Sequence, residues 1–137
     1  MVRFDKLKIF KSGEYEHVFL AARAGDSQCY YREAIDITDL VDQMRKEGKR
    51  VAVRLGKLKI TDKDYELHRH PCLTIVEIDK EKGRIRTEEG DHEVEPGCVV
   101  IVPPNFPHLS HAADKTMYEN IFYIGEPDDI QAIVPMS

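Results

Sequence analysis

The sequence predicts an all-β fold with one short flanking helix, and three observations carry that prediction. From Arg50 onward the apolar residues recur with a period of two, as in Val51, Val53 and Leu55, the signature of a half-buried strand. Turn residues then punctuate the chain at spacings of about 8 to 12 residues, the interval expected of sandwiches and barrels. Only one stretch, after Thr38, has helical spacing and helical end signals.

Taken in order, residues 1–36 read as strands. Val2, Phe4 and Leu7 to Phe10 form a loose apolar edge, Ser12-Gly13 punctuates it, and His17 to Arg23 reads as a second strand. Ala24-Gly25-Asp26 is a turn, followed by the Tyr- and Ile-rich run Gln28 to Ile35. His17 stands alone and reads as an ordinary surface or packed histidine. The helix follows, with Thr38 as N-cap and Asp39 in the first turn, where the helix dipole favours an acid. Leu40, Val41 and Met44 form its apolar stripe, Arg45 and Lys46 suit its C-terminal end, and Gly48 suits the position beyond it. That stripe is core packing, and one short helix cannot make a helix-turn-helix.

The strand from Val51 to Ile60 is interrupted by Gly56, an expected bulge. Thr61 to Asp64 is a turn, and Tyr65 to His70 reads as the next strand. Glu126-Pro127-Asp128-Asp129 breaks the last strand region, and the tail QAIVPMS is expected to cover an edge. A single domain over 1–137 is expected, with N-terminal strands and helix in 1–49, a barrel core in 50–125 and a C-terminal tail in 126–137.

Composition narrows the function classes. The chain has 137 residues, enough for one core without disulfides. Lys and Arg number 20 against 25 Asp and Glu, a net charge of −5. A mildly acidic chain with short, interrupted basic clusters is a poor nucleic-acid binder, so no nucleic-acid partner is expected. Cys29, Cys72 and Cys98 are odd in number and form no CxxC, which reads as free thiols in a reducing compartment. The N-terminus lacks an apolar signal-peptide core, and no run approaches a membrane span. The expected address is the cytoplasm, with no membrane partner.

The chemistry concentrates in Leu67-His68-Arg69-His70-Pro71. Residues i and i+2 of a strand share a face, so His68 and His70 present two imidazoles to one side. Pro71 cannot donate to a ladder and is expected to end the strand. Imidazole binds Fe, Mn, Ni and Zn well, but two ligands do not close a site. The best third candidate is His108, in Val102-Pro103-Pro104-Asn105-Phe106-Pro107-His108.

The order of motifs around these residues resembles the cupin family. After the HxH come the apolar run LTIVEI, a turn at Gly83 and the alternating strand RIRTEE. Then follow the turns EEGD and EVEPG, the apolar run CVVIV and PPNFPH. The cupin family's first motif is an HxH followed by Glu and Gly. Its second is a Pro-Gly turn, five residues, Pro and a nearby His, here Pro96-Gly97, Cys98 to Val102, Pro103 and His108. The resemblance covers roughly residues 50–125. It implies a double-stranded β-helix, or jelly-roll, barrel in which the HxH strand and the later His strand lie side by side, with one divalent metal (Fe, Mn, Ni or Zn) on His68, His70 and His108.

The family's Glu falls here at Thr74 or Ile75, neither of them a carboxylate. Glu66, of the same parity as the two histidines, is the favoured substitute over Glu77, which is expected toward the far end of the barrel. An all-histidine set, resembling the thiol dioxygenase branch, is favoured over either. His111 is a candidate fourth ligand or proton carrier, and His92, sharing parity with Val94, a candidate proton carrier facing the barrel. Arg54 and Phe106 are candidate substrate contacts. Cys98 is expected to be buried, and Cys72, beside the HRHP turn, to be open to oxidation. Small cupins tend to cover barrel edges with a partner's strands, so a homodimer built through the N-terminal strands is expected. The functional expectation is an enzyme on a small molecule, of dioxygenase type first. Isomerase, epimerase or lyase chemistry, or a non-catalytic sensor module, are the alternatives.

Overall fold

Alternating apolar residues become two facing sheets, because each strand has one face to bury. The computed structural model describes residues 4–11, 20–21, 35–36, 38–130 and 134–135; His17 and Cys29 lie outside them. The strands are β1 (Lys8–Phe10), β2 (Leu20–Ala21), β3 (Ile35–Asp36), β4 (Ala52–Thr61), β5 (His68–Arg69), β6 (Leu73–Lys80) and β7 (Gly83–Thr87). They continue as β8 (Gly90–Val94), β9 (Val99–Val102), β10 (His108–Ala112), β11 (Thr116–Gly125) and β12 (Val134–Pro135). Two helices, α1 (Thr38–Lys46) and α2 (Pro127–Ile130), complete the elements.

One five-stranded sheet has the order β1-β9-β6-β11-β4 and the other β12-β5-β10-β7-β8, while β2 and β3 pair separately. Val76, Val100, Met117 and Ile121 of the first sheet pack between the sheets against Ile85, Val94 and Ala112 of the second. The first sheet's other face, with Leu73, Ile75, Ile101 and Phe122, packs under Val41 of α1. Ile75 is fully buried, and enclosing a side chain of its size contributes about 2 kcal/mol. β6 is therefore apolar on both faces, which explains its near-continuous hydrophobic run. Gly48 ends α1 as expected: its φ is +79°, and the amides of Gly48 and Lys49 donate back to the carbonyls of Arg45 and Met44. No described helix is long and apolar enough to cross a membrane.

Two expectations are corrected. Gly56 forms no bulge, because all ten residues of β4 pair with β11 in unbroken register. The register shift of this sheet lies instead between Tyr118 and Glu119, where β11 pairs β6. The strand expected from Tyr65 to His70 reduces to His68–Arg69. Residues 62–67 lead from β4, at the edge of one sheet, to β5 in the other, and a connection between sheets has no ladder to hold it extended. The break expected at Glu126–Asp129 is present: β11 ends at Gly125, and Pro127 starts the four-residue helix α2. The tail does cover an edge: Val134 and Pro135 pair with Arg69 and His68.

Candidate metal centre

His68 pairs directly with His108 across β5 and β10. Directly opposed residues of an antiparallel pair share a face, so this register turns both imidazoles inward. His70 follows as the chain leaves β5, and its carbonyl accepts a hydrogen bond from the Asn105 amide at 2.6 Å. That bond ties the HRHP segment to the loop preceding β10. Asn105 takes a left-handed φ of 62°, a conformation asparagine tolerates. His70 and His108 are 8% and 5% exposed.

The three imidazoles meet. Their ring centroids lie 4.7 to 5.3 Å apart, and one nitrogen from each falls within 4.8 Å of the others. His108 Nδ1 lies 2.7 Å from the Phe106 carbonyl. A carbonyl cannot donate, so Nδ1 carries the proton and Nε2 keeps its lone pair. Fixing a ligand histidine's tautomer through its other nitrogen is what metal sites require. His68 Nε2 and His70 Nε2 are 3.1 Å apart. Two nitrogens at about 2.1 Å from one metal stand about 3.0 Å apart at a right angle and about 3.4 Å at a tetrahedral one. Burial, followed by the neighbouring imidazole charges, pulls His68 down to about 4. Burial likewise lowers His108 to about 4 against the opposing hydrogen bond to Phe106. Near neutral pH the His68 and His108 rings are uncharged, the form that ligates metal. The donor set therefore fits a divalent transition metal.

The other candidates separate by face. Thr74, Val76 and Ile78 point between the sheets, whereas Ile75 and Glu77 share the face toward α1, where Asn120 Nδ2 donates to Glu77 Oε1 at 3.1 Å. Of the two positions at which the resemblance puts a Glu, Thr74 faces inward and Ile75 does not, and Glu77 lies on the α1 side of β6. Glu66 is exposed and outside the histidine cluster, because the parity argument needs a strand that residue 66 does not join. His111 sits an odd number of residues from His108, so β10 carries it on the opposite face. There His111 Nε2 lies 3.4 Å from Asp64 Oδ1, which also accepts from Arg86 at 2.7 Å. It is not brought to the triad.

His92 does face inward, opposite Ile85, but outside the cluster. Phe106 packs against the inner core. Arg54 is exposed at the edge of β4, directly opposite Tyr123. Cys98 is buried as expected. Cys72 is 2% exposed and burial raises its thiol pKa, so the expectation of ready oxidation gives way to a protected thiol.

Two inward groups lie on β11: Tyr123, which the sequence marks as core or pocket wall, and Glu119, which was not singled out from the sequence. The Tyr123 ring stands edge-on to His70 at 6.0 Å between centroids. Glu119 is 2% exposed; burial pushes its carboxyl up to about 7, against a hydrogen bond from Ser110. The signal was in β11 itself, where Met117, Glu119, Ile121 and Tyr123 share parity and an acid stands among apolar residues.

Residues 51–134, more than half of the chain, match the model of the AraC-like ligand binding domain family. The chain belongs to that family. Among solved structures, this AraC-like domain is similar to a cupin-like protein from Thermotoga maritima at 20% identity and TM-score 0.51, over 62% of this chain and 65% of that one. It is also similar to a cupin 2 domain-containing protein from Halorhodospira halophila at 10% identity and TM-score 0.53, over 97% and 83%. Together these establish the cupin fold. A DMSP lyase from Ruegeria pomeroyi aligns at 21% identity and TM-score 0.49, over 63% of this chain. The matched region spans only 43% of that lyase and 65% of the Thermotoga protein, less than two thirds of either. No curated protein matches the chain.

Proposed function

We propose that the domain is a metal-dependent enzyme acting on a small polar molecule, with His68, His70 and His108 holding one Fe, Mn, Ni or Zn ion. The observation that carries this reading is the convergence of three imidazoles, one with its tautomer fixed by the Phe106 carbonyl. Bound there, the metal supplies Lewis acidity or, as iron, oxygen chemistry.

The chain's own residues would do the rest. Three imidazoles carry no charge to offset a dication, so anionic or chelating oxygens gain Coulomb energy at the site. Three protein ligands leave positions open, the arrangement of catalytic and not of structural sites. Arg54, at the exposed edge opposite Tyr123, would draw an anion toward the barrel. The all-histidine cluster favours dioxygenase chemistry on a small substrate. A buried inward carboxylate, Glu119, supports the lyase or isomerase alternative, since such a group can hold or accept a proton. The family description supports a third reading, a ligand-binding module without turnover.

Metal analysis of protein purified without chelator or nickel resin tests the centre, with about one ion per chain expected. Oxygen uptake and product formation by the iron-, manganese-, nickel- and zinc-loaded protein are then screened against small thiols, keto acids, hydroxy acids and sugar phosphates. Tight binding without turnover across that panel would select the ligand-binding module.

A further inference from the structure

The interior of the second sheet is layered. His68, His108, Thr87 and Gly90 form one transverse row, and Ser110, Ile85 and His92 form the next. Two residues along a strand advance about 7 Å, so the second row lies that far beneath the histidine cluster. Glu119 reaches this row from the facing sheet and accepts the Ser110 hydrogen bond. Its second oxygen, Oε2, is buried without any hydrogen-bond partner. On the same row, His92 Nε2 is also buried and unpartnered.

A buried carboxylate oxygen with no donor is strongly destabilising, and native interiors hold few of them. Its position, one layer below a site open to ligands, supplies the reason. We propose that Glu119 and Ser110 form a polar subsite that takes the hydrogen-bond donor end of a ligand whose carboxylate lies at the histidine cluster. The ligand class is a short carboxylic acid bearing a hydroxyl or ammonium group on the far end of about four carbons, a length set by C–C bonds of about 1.5 Å across the layer step. Above pH 7, with its carboxyl ionised, Glu119 accepts the donor through Oε2 while Ser110 holds the other oxygen in place, and the binding measurements are made at pH 8. The subsite rests on the metal-centre reading of the previous section.

The test uses the zinc-loaded protein and three probes: butyrate, 4-hydroxybutyrate and 4-aminobutyrate. Affinities are measured by calorimetry, with zinc content determined for each protein. In the wild type, at least one donor-bearing probe binds tenfold or more tightly than butyrate. Glu119→Leu brings all three within about twofold of one another, with butyrate affinity and zinc content unchanged. Glu119→Gln separates the two donors: it keeps the 4-hydroxybutyrate preference, through its amide oxygen, and loses a preference for the ammonium. No donor preference in the wild type, or an equal preference in Glu119→Leu, overturns the subsite and leaves the metal centre standing. Loss of zinc in Glu119→Leu alone makes Glu119 a ligand and also overturns it. Failure of the wild type to hold zinc or any other transition metal removes both readings. Thermal melts at pH 8 confirm that both variants fold.

Discussion

His70 and Glu119 carry the sharpest expectations at the scale of single residues. His70→Ala removes one of three imidazoles and leaves two, which do not close a site. Metal content is expected to fall from about one ion per chain to a small fraction, with the fold retained. Stoichiometric metal in a His68/His70/His108 triple variant would refute the centre. Glu119 makes stability depend on pH. Burial pushes its carboxyl up to about 7 when folded, against an ordinary value of 4.5. The folded state therefore holds a proton that the unfolded chain releases above pH 4.5. The stabilisation is fully present below 4.5 and is lost as pH rises toward and through 7, on the order of 3 kcal/mol. His68 and His108, lowered to about 4, act oppositely, destabilising the metal-free fold as pH falls from about 6.5 toward 4. The difference between wild type and Glu119→Gln denaturation curves, measured from pH 4 to 8, isolates the carboxyl. A flat difference curve would show that Glu119 titrates normally.

Among the elements, β7 and β11 meet at a point with no spare volume. A Cβ on Gly83 would collide with Met117 Sδ and come within 2.5 Å of the His111 carbonyl oxygen. The thioether can swing aside, but a strand carbonyl in a ladder cannot. Gly83→Ala is expected to cost about 1–3 kcal/mol or more, read as a lower urea midpoint. Gly125, whose Cβ would meet Cys72 Cβ at 2.9 Å, presents a similar limit where β11 ends. Gly56→Ala is the control, since the added methyl meets only the Tyr123 ring, at 3.5 Å. A Gly83→Ala midpoint equal to wild type would show that the sheets part easily there. The elements also explain which sequence arguments succeeded. Pairing of His68 with His108 was implied by the resemblance to cupins, and the register of β5 with β10 bears it out. The placement of Glu66 failed because parity holds only inside a ladder, and residues 62–67 cross between sheets outside one.

For the whole molecule, metal and fold should be linked. An ion that binds only the folded chain adds about 2.7 kcal/mol at a hundred times its Kd. Thermal midpoints are expected to rise on adding zinc to chelator-treated protein, and not in the His68/His70/His108 triple variant. An equal rise in both would place the binding elsewhere. A homodimer is expected as well. The β4 edge alternates Arg54, Lys57 and Lys59, whose charge discourages strand addition, with exposed Leu55 and Leu58. The expected contributor is β1, among the N-terminal strands and at the opposite edge of that sheet. Sedimentation should give twice the 15.8 kDa chain mass, and a concentration-independent monomer would refute it.

By itself the sequence determined the alternation, the turns and the end of α1, because strand period, Pro-Gly and a left-handed glycine are properties of neighbouring residues. It also marked His68, His70 and His108, since the spacing of two within a strand and the distance to PPNFPH are read along the chain. Which carboxylate enters the barrel was decided only in three dimensions. Glu66 and Glu77 lie nearer the histidines in sequence, yet one is exposed and the other turned toward α1. Glu119, 11 residues past His108 in the chain, reaches the interior because β11 lies between β4 and β6 and carries its even face of α1-packing residues outward and Glu119 inward. His111 shows the converse: three residues from a ligand, it is directed to the outer face by the two-residue period of a strand.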